Sequence, residues 1–336
     1  MEIHTLDQLD RQLLHALEID GRAPFSRIAD VIGVSDQTVA RRFRRLTSAM
    51  EIRVVAVRDG ERLGHESWLL RMRCAPDGAE RLAHALARRP DTAWIALVSG
   101  PTEVVCTVRA SSQSEQEELL LGRLPRTPGV LEIKAHKLLH RFYGGSEGLV
   151  GKSGALTPEQ VGRLRAAGPD TTPEGSGPAV LTPEDEPLVA ALERDGRATY
   201  AELRQATGRP ESYVRRRLGR LLRSGAIYID MQFERGGFED GARAILWITA
   251  APSALDSVGR EIATHREVAF VSATAGDSNL LAVIVCRDTA SVYRYLSEGV
   301  GRLDGVQHVE CGPVLRTFKQ LAYEERRRPG ARAARA

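Results

Sequence analysis

Two clusters of guanidinium groups are the side chains of this 336-residue sequence best suited to act on a partner. Arg41, Arg42 and Arg45 fall in ARRFRR, and Arg216, Arg217 and Arg220 in VRRRLGR. A guanidinium is permanently charged and planar, so it forks onto a phosphate or onto the acceptor edge of a guanine. Just ahead of each cluster stand short polar groups, Ser35, Gln37 and Thr38 in one case and Ser212 and Tyr213 in the other, of a kind that bonds base edges. The chemistry indicated is recognition of double-stranded DNA, not bond making. No GxSxG elbow and no phosphate-cradling glycine loop is present, and the eight histidines make no metal-ligand spacing on a helix, His136 and His140 falling in a strand pattern. No catalytic residue, metal ligand or cofactor is assigned. With a formal net charge of only +3, attraction to a polyanion has to come from these local patches.

The elements that position the arginines occur twice. Asp20-Gly21-Arg22-Ala23 aligns with Asp195-Gly196-Arg197-Ala198, and the register, an offset of 175, pairs Leu6 with Leu181, Gly33 with Gly208 and Leu46 with Leu221. After one inserted residue the likeness continues, weaker, through Trp94 with Phe270, Gly100 with Gly276 and Phe142 with Phe318. The sequence reads as a tandem duplication. In the first copy, leucines at helical spacing predict a helix over 7–19. A second follows from Ser26 to Ile32, a glycine turn at Gly33, and a third over 36–48 capped by Ser35. Val39, Phe43 and Leu46 make its inner stripe, which leaves the arginines outside; Val214, Leu218 and Leu221 repeat the pattern. Two short helices about a glycine turn form a helix-turn-helix.

Behind each such unit the pattern changes to strand, helix, strand, strand, helix, strand, the split order of ferredoxin-like folds. WLLRMRC, TAWIALVSG, TEVVCTV and VLEIKAHKLL are the strands of the first copy; ARAILWITA, VAFVSATAG, NLLAVIVC and VQHVECGPVL are those of the second. The fold class is therefore α+β. Residues 3–60 form the first helix-turn-helix domain, 65–143 the first ferredoxin-like domain, 181–235 the second helix-turn-helix and 241–320 the second ferredoxin-like domain. Between the copies, 144–180 is rich in Gly, Pro, Ser and Thr and reads as a flexible linker, with a short helix over 158–167 capped by Thr157. The basic tail 324–336 reads as disordered. The four cysteines make no CxxC pair and lie in apolar strands, as expected of reduced thiols in cytoplasm. No apolar run is long enough to span a bilayer. Trp68, Trp94 and Trp247 are expected in the core or at an interface.

LDQLDRQLLHALEIDGR, the helix-turn-helix ending in VARRFRRL, and the strand pattern with Gly100-Pro101-Thr102-Glu103 after its second strand resemble the Lrp/AsnC family of transcription regulators. The resemblance covers nearly the whole chain, twice. It implies winged helix-turn-helix heads that bind DNA, sensory domains that pair as an intrachain pseudo-dimer, further assembly of pseudo-dimers, and an amino-acid-like effector at the sensory interface. It places that effector at Gly100, Thr102 and Glu103 and at Gly276, Asp277, Ser278 and Asn279, where glycine-freed amides and nearby polar groups would hold a carboxylate and an ammonium. The family's loop has an aspartate where this chain has Glu103 and Asn279, so the two copies depart from that pattern and from each other. Two other readings stand beside it. Sirohaem decarboxylases resemble the same architecture but call for a histidine in the second strand, and neither TAWIALVSG nor VAFVSATAG carries one. An architectural DNA binder without effector is the other.

Overall fold

Asp7 starts the first helix. Its carboxylate accepts the Asp10 N–H (2.9 Å) and Asp10 accepts that of Asp7 (3.2 Å), which satisfies two amides that the helix itself cannot. In the computed structural model, which describes residues 6–49, 52–109, 114, 117–167, 178–233 and 241–321, this helix, α1, spans Gln8–Ile19. Leu13, Leu14 and Leu17 are fully buried on its inner face. Next come α2 (Phe25–Ile32) and α3 (Asp36–Ala49), separated by Gly33 at φ +83°, a left-handed turn that a side chain would strain. The strand β1 (Ile52–Arg58) completes the first head.

The second head repeats this arrangement after residue 180, with α6 (Glu186–Arg194), α7 (Tyr200–Thr207), α8 (Glu211–Arg223) and β6 (Ile227–Phe233). Its turn glycine, Gly208, has φ +66°.

The heads are interlocked. β1 and β6 pair antiparallel along their full lengths, with Ile52 opposite Phe233 and Val55 opposite Asp230. Met231 and Ile229 of β6 pack in the first head's core, and Ala56 of β1 packs in the second head's. The repeated DGR segments face one another across this ribbon. Arg22 donates to the carbonyls of Gly196 and Ala198 (the latter at 2.8 Å), and Arg197 returns the contact to Gly21 and Ala23 (2.6 and 2.9 Å). Glycine is needed between them, because a Cβ on Gly21 would lie 2.3 Å from Ile229 Cγ2.

The sensory half is a closed eight-stranded barrel made of two four-stranded sheets. β2 (Ser67–Cys74), β3 (Thr92–Val98), β4 (Glu103–Arg109) and β5 (Val130–Tyr143) lie in the order β3-β4-β2-β5. β7 (Ala242–Ala250), β8 (Val268–Ala275), β9 (Leu280–Cys286) and β10 (Val306–Lys319) repeat it as β8-β9-β7-β10. Both are the ferredoxin-like order. The sheets join where β5 pairs β8 and β10 pairs β3, so neither keeps a free edge. The helices α4 (Ala79–Ala87) and α9 (Leu255–Thr264) cover the outer faces over separate apolar cores. The inner faces meet over Leu69, Val98, Val105, Ile245 and Trp247. After β4 and after β9 the chain passes through wide helical turns at the same place, Glu118–Arg123 and Tyr295–Gly299.

The stretch expected to be a flexible linker is in its described part a docked strap. α5 (Pro158–Ala167) lies on α1 and α2, with Leu156 and Leu164 buried in the first head's core. Thr157 caps it as expected, accepting the Gln160 N–H at 3.3 Å. Glu18 accepts the amides of Val150 (2.8 Å) and Gly151 (2.7 Å), and His15 Nδ1 accepts that of Leu156 (3.2 Å). The strap's other face holds the second sensory domain. Lys152 Nζ donates to the carbonyls of Ala263, His265 and Val268 (2.7, 2.9 and 2.9 Å) at the end of α9, 3.4 Å above the Tyr143 ring centroid. Each buried leucine is worth about 1.5–3 kcal/mol, enough to hold a segment whose composition alone suggests freedom. Residues 168–177 and the tail from 322 lie outside the described residues, as does most of the segment ahead of Glu117 where a helix was expected.

Candidate nucleic-acid interface and sensory loops

Helical geometry divides the arginines of each third helix into two sets. On α3, Arg41 and Arg44 are exposed together with Ser35 and Gln37, whereas Val39 and Leu46 are buried. Ser35 accepts the Thr38 N–H (3.2 Å) and its hydroxyl bonds Thr38 Oγ1 (2.9 Å), so these two build the helix start. On α8, Ser212, Arg215, Arg216 and Arg220 are exposed. Tyr213 is half-buried and packs beneath Arg209 and Arg216, at 5.5 and 5.8 Å from its ring centroid.

Arg42 and Arg217 do not belong to this outward set, contrary to the sequence reading. Arg42 turns back to Asp7 and to buried Asp10 (3.1 Å), and Arg217 grips buried Asp185 with both arms of its fork. Arg45, half-exposed, also pairs with Asp10. A fully buried carboxylate needs a partner, and the third helix supplies it to the first in both heads. The Arg42 hydrogen bond holds the Asp7 carboxyl down at about 2. Burial would raise Asp185, but its bonds from Arg217 and Thr182 prevail and its pKa is lowered. The sequence reading missed Arg44 and Arg215, whose place within the RRFRR and VRRRL runs was the available signal.

At the far end of the barrel, the two glycine loops share a backbone geometry, with Gly100 at φ +147° and Gly276 at φ +148°. Their side chains are committed differently. Glu103 receives Arg71 through two bonds (2.7 and 3.1 Å), and the same guanidinium bonds Glu310 (2.8 Å) while lying 4.2 Å over the Trp247 ring. Asp277 pairs with Lys134 at 2.6 Å. Asn279 bridges the Ala250 backbone, accepting its N–H (2.8 Å) and donating to its carbonyl (2.7 Å). That amide double contact is one a carboxylate cannot make, which accounts for asparagine here. The Thr102 carbonyl accepts the Cys74 N–H at 2.7 Å. His136, pressed against Gly276, has its Nδ1 buried without a hydrogen-bond partner among the described residues, and so have Ser278 Oγ and Trp247 Nε1. Burial lowers the His136 pKa. Buried polar atoms left unsatisfied are uncommon; here three gather around the loops.

Three stretches of the chain match known families. Residues 6–47 match the AsnC-type helix-turn-helix domain, 188–228 the winged helix-turn-helix DNA-binding domain, and 243–323 the Lrp/AsnC ligand binding domain. The chain belongs to the Lrp/AsnC family. As an Lrp/AsnC protein it is a DNA-binding transcription regulator with a ligand-binding domain. An uncharacterised HTH-type transcriptional regulator of Pyrococcus abyssi is 28% identical over 145 residues, 41% of this chain and 88% of that one. HTH-type transcriptional regulator FL11 of Pyrococcus horikoshii is 25% identical over 139 residues, 39% of this chain and 92% of that one. In structure, the siroheme decarboxylase NirDL, solved with an iron-uroporphyrin III analogue, superposes with a TM-score of 0.62 over 94% of both chains, at 15% identity. That likeness concerns the fold alone. Among the described residues of this Lrp/AsnC chain, no helix is long and apolar enough to cross a membrane.

Proposed function

We propose that this regulator is two Lrp/AsnC units fused into a covalent pseudo-dimer that lays two non-identical reading helices on one DNA duplex. The observation that carries the reading is the reciprocal clasp of Arg22 and Arg197, which holds the heads as one body and leaves the arginine-bearing faces of α3 and α8 outward. Arg41, Arg44, Arg215, Arg216 and Arg220 supply phosphate and guanine contacts. Gln37 and Thr38 in one head and Ser212 and Tyr213 in the other read different bases. Two such heads suit half-sites one helical turn, or a small multiple, apart, and their difference calls for an imperfect palindrome. Selection from random DNA tests this; a fully symmetric preferred site would count against it.

The sensory loops, with Gly100, Thr102 and Glu103 on one side and Gly276, Asp277 and Ser278 on the other, take a small effector of amino-acid type, which Arg71 and the unsatisfied groups around it would orient. Asn279 acts there as a brace. Further association of pseudo-dimers would follow the family habit. DNA affinity measured with and without a panel of amino acids tests the effector, and curves identical for every ligand would remove it.

A second reading, an enzyme acting on a tetrapyrrole, is favoured by the whole-chain fold likeness to NirDL. Against it, β3 and β8 carry no histidine. Absorbance of the purified chain with an added iron tetrapyrrole, followed by assay for released carbon dioxide, separates the two readings.

A further inference from the structure

The strap joins the second sensory domain to the first head. On the head side, Gln160 Nε2 donates to the Val31 carbonyl (3.0 Å) and Arg163 to that of Asp30 (3.1 Å), both in the last turn of α2. A helix leaves such end carbonyls without partners of its own. Here they stand just ahead of Gly33, the turn that aims α3. Val150, Leu156 and Leu164 share a core with Ala29 and Val31, while Glu18 and His15 hold the strap's amides. On the sensory side, Lys152 closes the end of α9. A continuous run of hydrogen bonds and packed side chains therefore leads from α9 to the first reading helix.

The second head is not built to receive such a strap. At the places of His15, Ala29 and Val31 it carries Ala190, Arg204 and Ala206. Arg204 and Ala206 are exposed, whereas Ala29 and Val31 are buried. Glu193, at the place of Glu18, is turned to Arg58 instead (2.8 Å). The sensory domains differ in a matching way. Just past α4 the Arg89 carbonyl accepts from Lys319 (2.6 Å), a lysine of the barrel's own β10. Tyr143 holds the place of Lys319 in the other seam, and the lysine serving the equivalent carbonyl, that of His265, comes from the strap (2.9 Å).

We propose that the strap is a one-sided coupler, which ties the turn ahead of α3 to the second sensory domain and leaves α8 without such a tie. A change in that domain then reaches the first reading helix in preference to the second. The consequence for DNA rests on the two-head reading; the coupling itself does not.

The test therefore uses the full chain with neither DNA nor effector, and follows amide hydrogen exchange by mass spectrometry. The two copies supply matched probes. The Gly33 and Gly208 N–H groups bond the carbonyls of Ala29 and Arg204 (2.8 and 2.9 Å), and those of His265 and Arg89 bond Ile262 and Leu86 (3.1 and 3.0 Å). Lys152→Met loosens the sensory anchor. It should speed exchange over residues 28–36 by roughly fivefold or more and leave 203–211 within about twofold of the parent. Coupling between two sites is reciprocal. Gln160→Ala with Arg163→Ala, which loosens the head anchor, should therefore speed exchange over 262–268 and spare 86–92. If Lys152→Met does not fold, this second variant decides alone. Faster exchange confined to the strap, or equal acceleration in both heads or in both sensory domains, would overturn the proposal.

Discussion

Replacing Arg22 with alanine tests the clasp between the heads. The side chain gives two charge-assisted hydrogen bonds to the carbonyls of Gly196 and Ala198, and bonds to charged groups contribute about 1.5–3 kcal/mol each. Part of this is offset, because burial makes the guanidinium costly to keep charged and lowers its pKa, and because Arg197 is a like charge nearby. A net loss of about 2–4 kcal/mol in unfolding free energy follows. Arg197→Ala should match it, since its bonds to Gly21 and Ala23 mirror the first pair. The double variant should cost less than the sum, because each arginine positions the loop whose carbonyls receive the other. Arg22→Lys should restore at most half, as an ammonium cannot fork onto two carbonyls. Urea unfolding of the full chain, followed by circular dichroism, is the assay, with exposed Arg41→Ala as the control. If both single variants stay within about 0.5 kcal/mol of the parent, the clasp contributes nothing and the reasoning fails.

Arg41→Ala and Arg216→Ala should each weaken DNA binding by about 1–3 kcal/mol and lessen its salt dependence, measured by fluorescence anisotropy. Arg42→Ala should instead destabilise the fold by about 1.5–3 kcal/mol, because buried Asp10 loses one partner at 3.1 Å and keeps Arg45; chemical unfolding distinguishes the two effects. Glu18 and Asp230 have pKa values raised to about 7 in the folded chain, so they bind protons more tightly folded than unfolded. Their contribution is full below their unfolded values, is lost as pH rises to about 7 and is flat above that. Unfolding free energies measured from about pH 5 to 8 should decline, and Glu18→Gln with Asp230→Asn should flatten that decline. Gly276→Ala should cost about 1–3 kcal/mol, because φ is +148° there and the new Cβ would meet His136 Nδ1 at 2.4 Å; a melting temperature equal to the parent's would contradict this.

The heads were legible in the sequence because amphipathic periodicity and glycine turns are local signals, and helix ends fall within a residue or two of expectation. So were the strands, whose alternation and length fix the split order. The placement of Arg42 and Arg217 was not, because the inner stripe Val39, Phe43 and Leu46 says nothing of what a flanking arginine can reach. Asp10 in α1 and Asp185 immediately ahead of α6, acids at equivalent places in the two copies, were the hint. The strap misled through composition: its glycines and prolines suggest freedom, while Leu156, Val161 and Leu164 already carried a helical stripe seeking a surface. Trp94 was expected in the core or at an interface, and nothing local to it announces a left-handed backbone. Nor does any local pattern show that β1 finds its partner in β6 across the intervening sensory domain. Only the many-valine run IRVVAV, apolar on both faces, says that such a partner exists.

That ribbon has a consequence for abundance. Two separate subunits joined through such strands would drift apart on dilution, and a scarce regulator would spend much of its time as halves. With both strands on one polypeptide, the local concentration of each for the other is fixed by the connecting segment and not by expression level. A cell holding a handful of copies would still have every copy assembled.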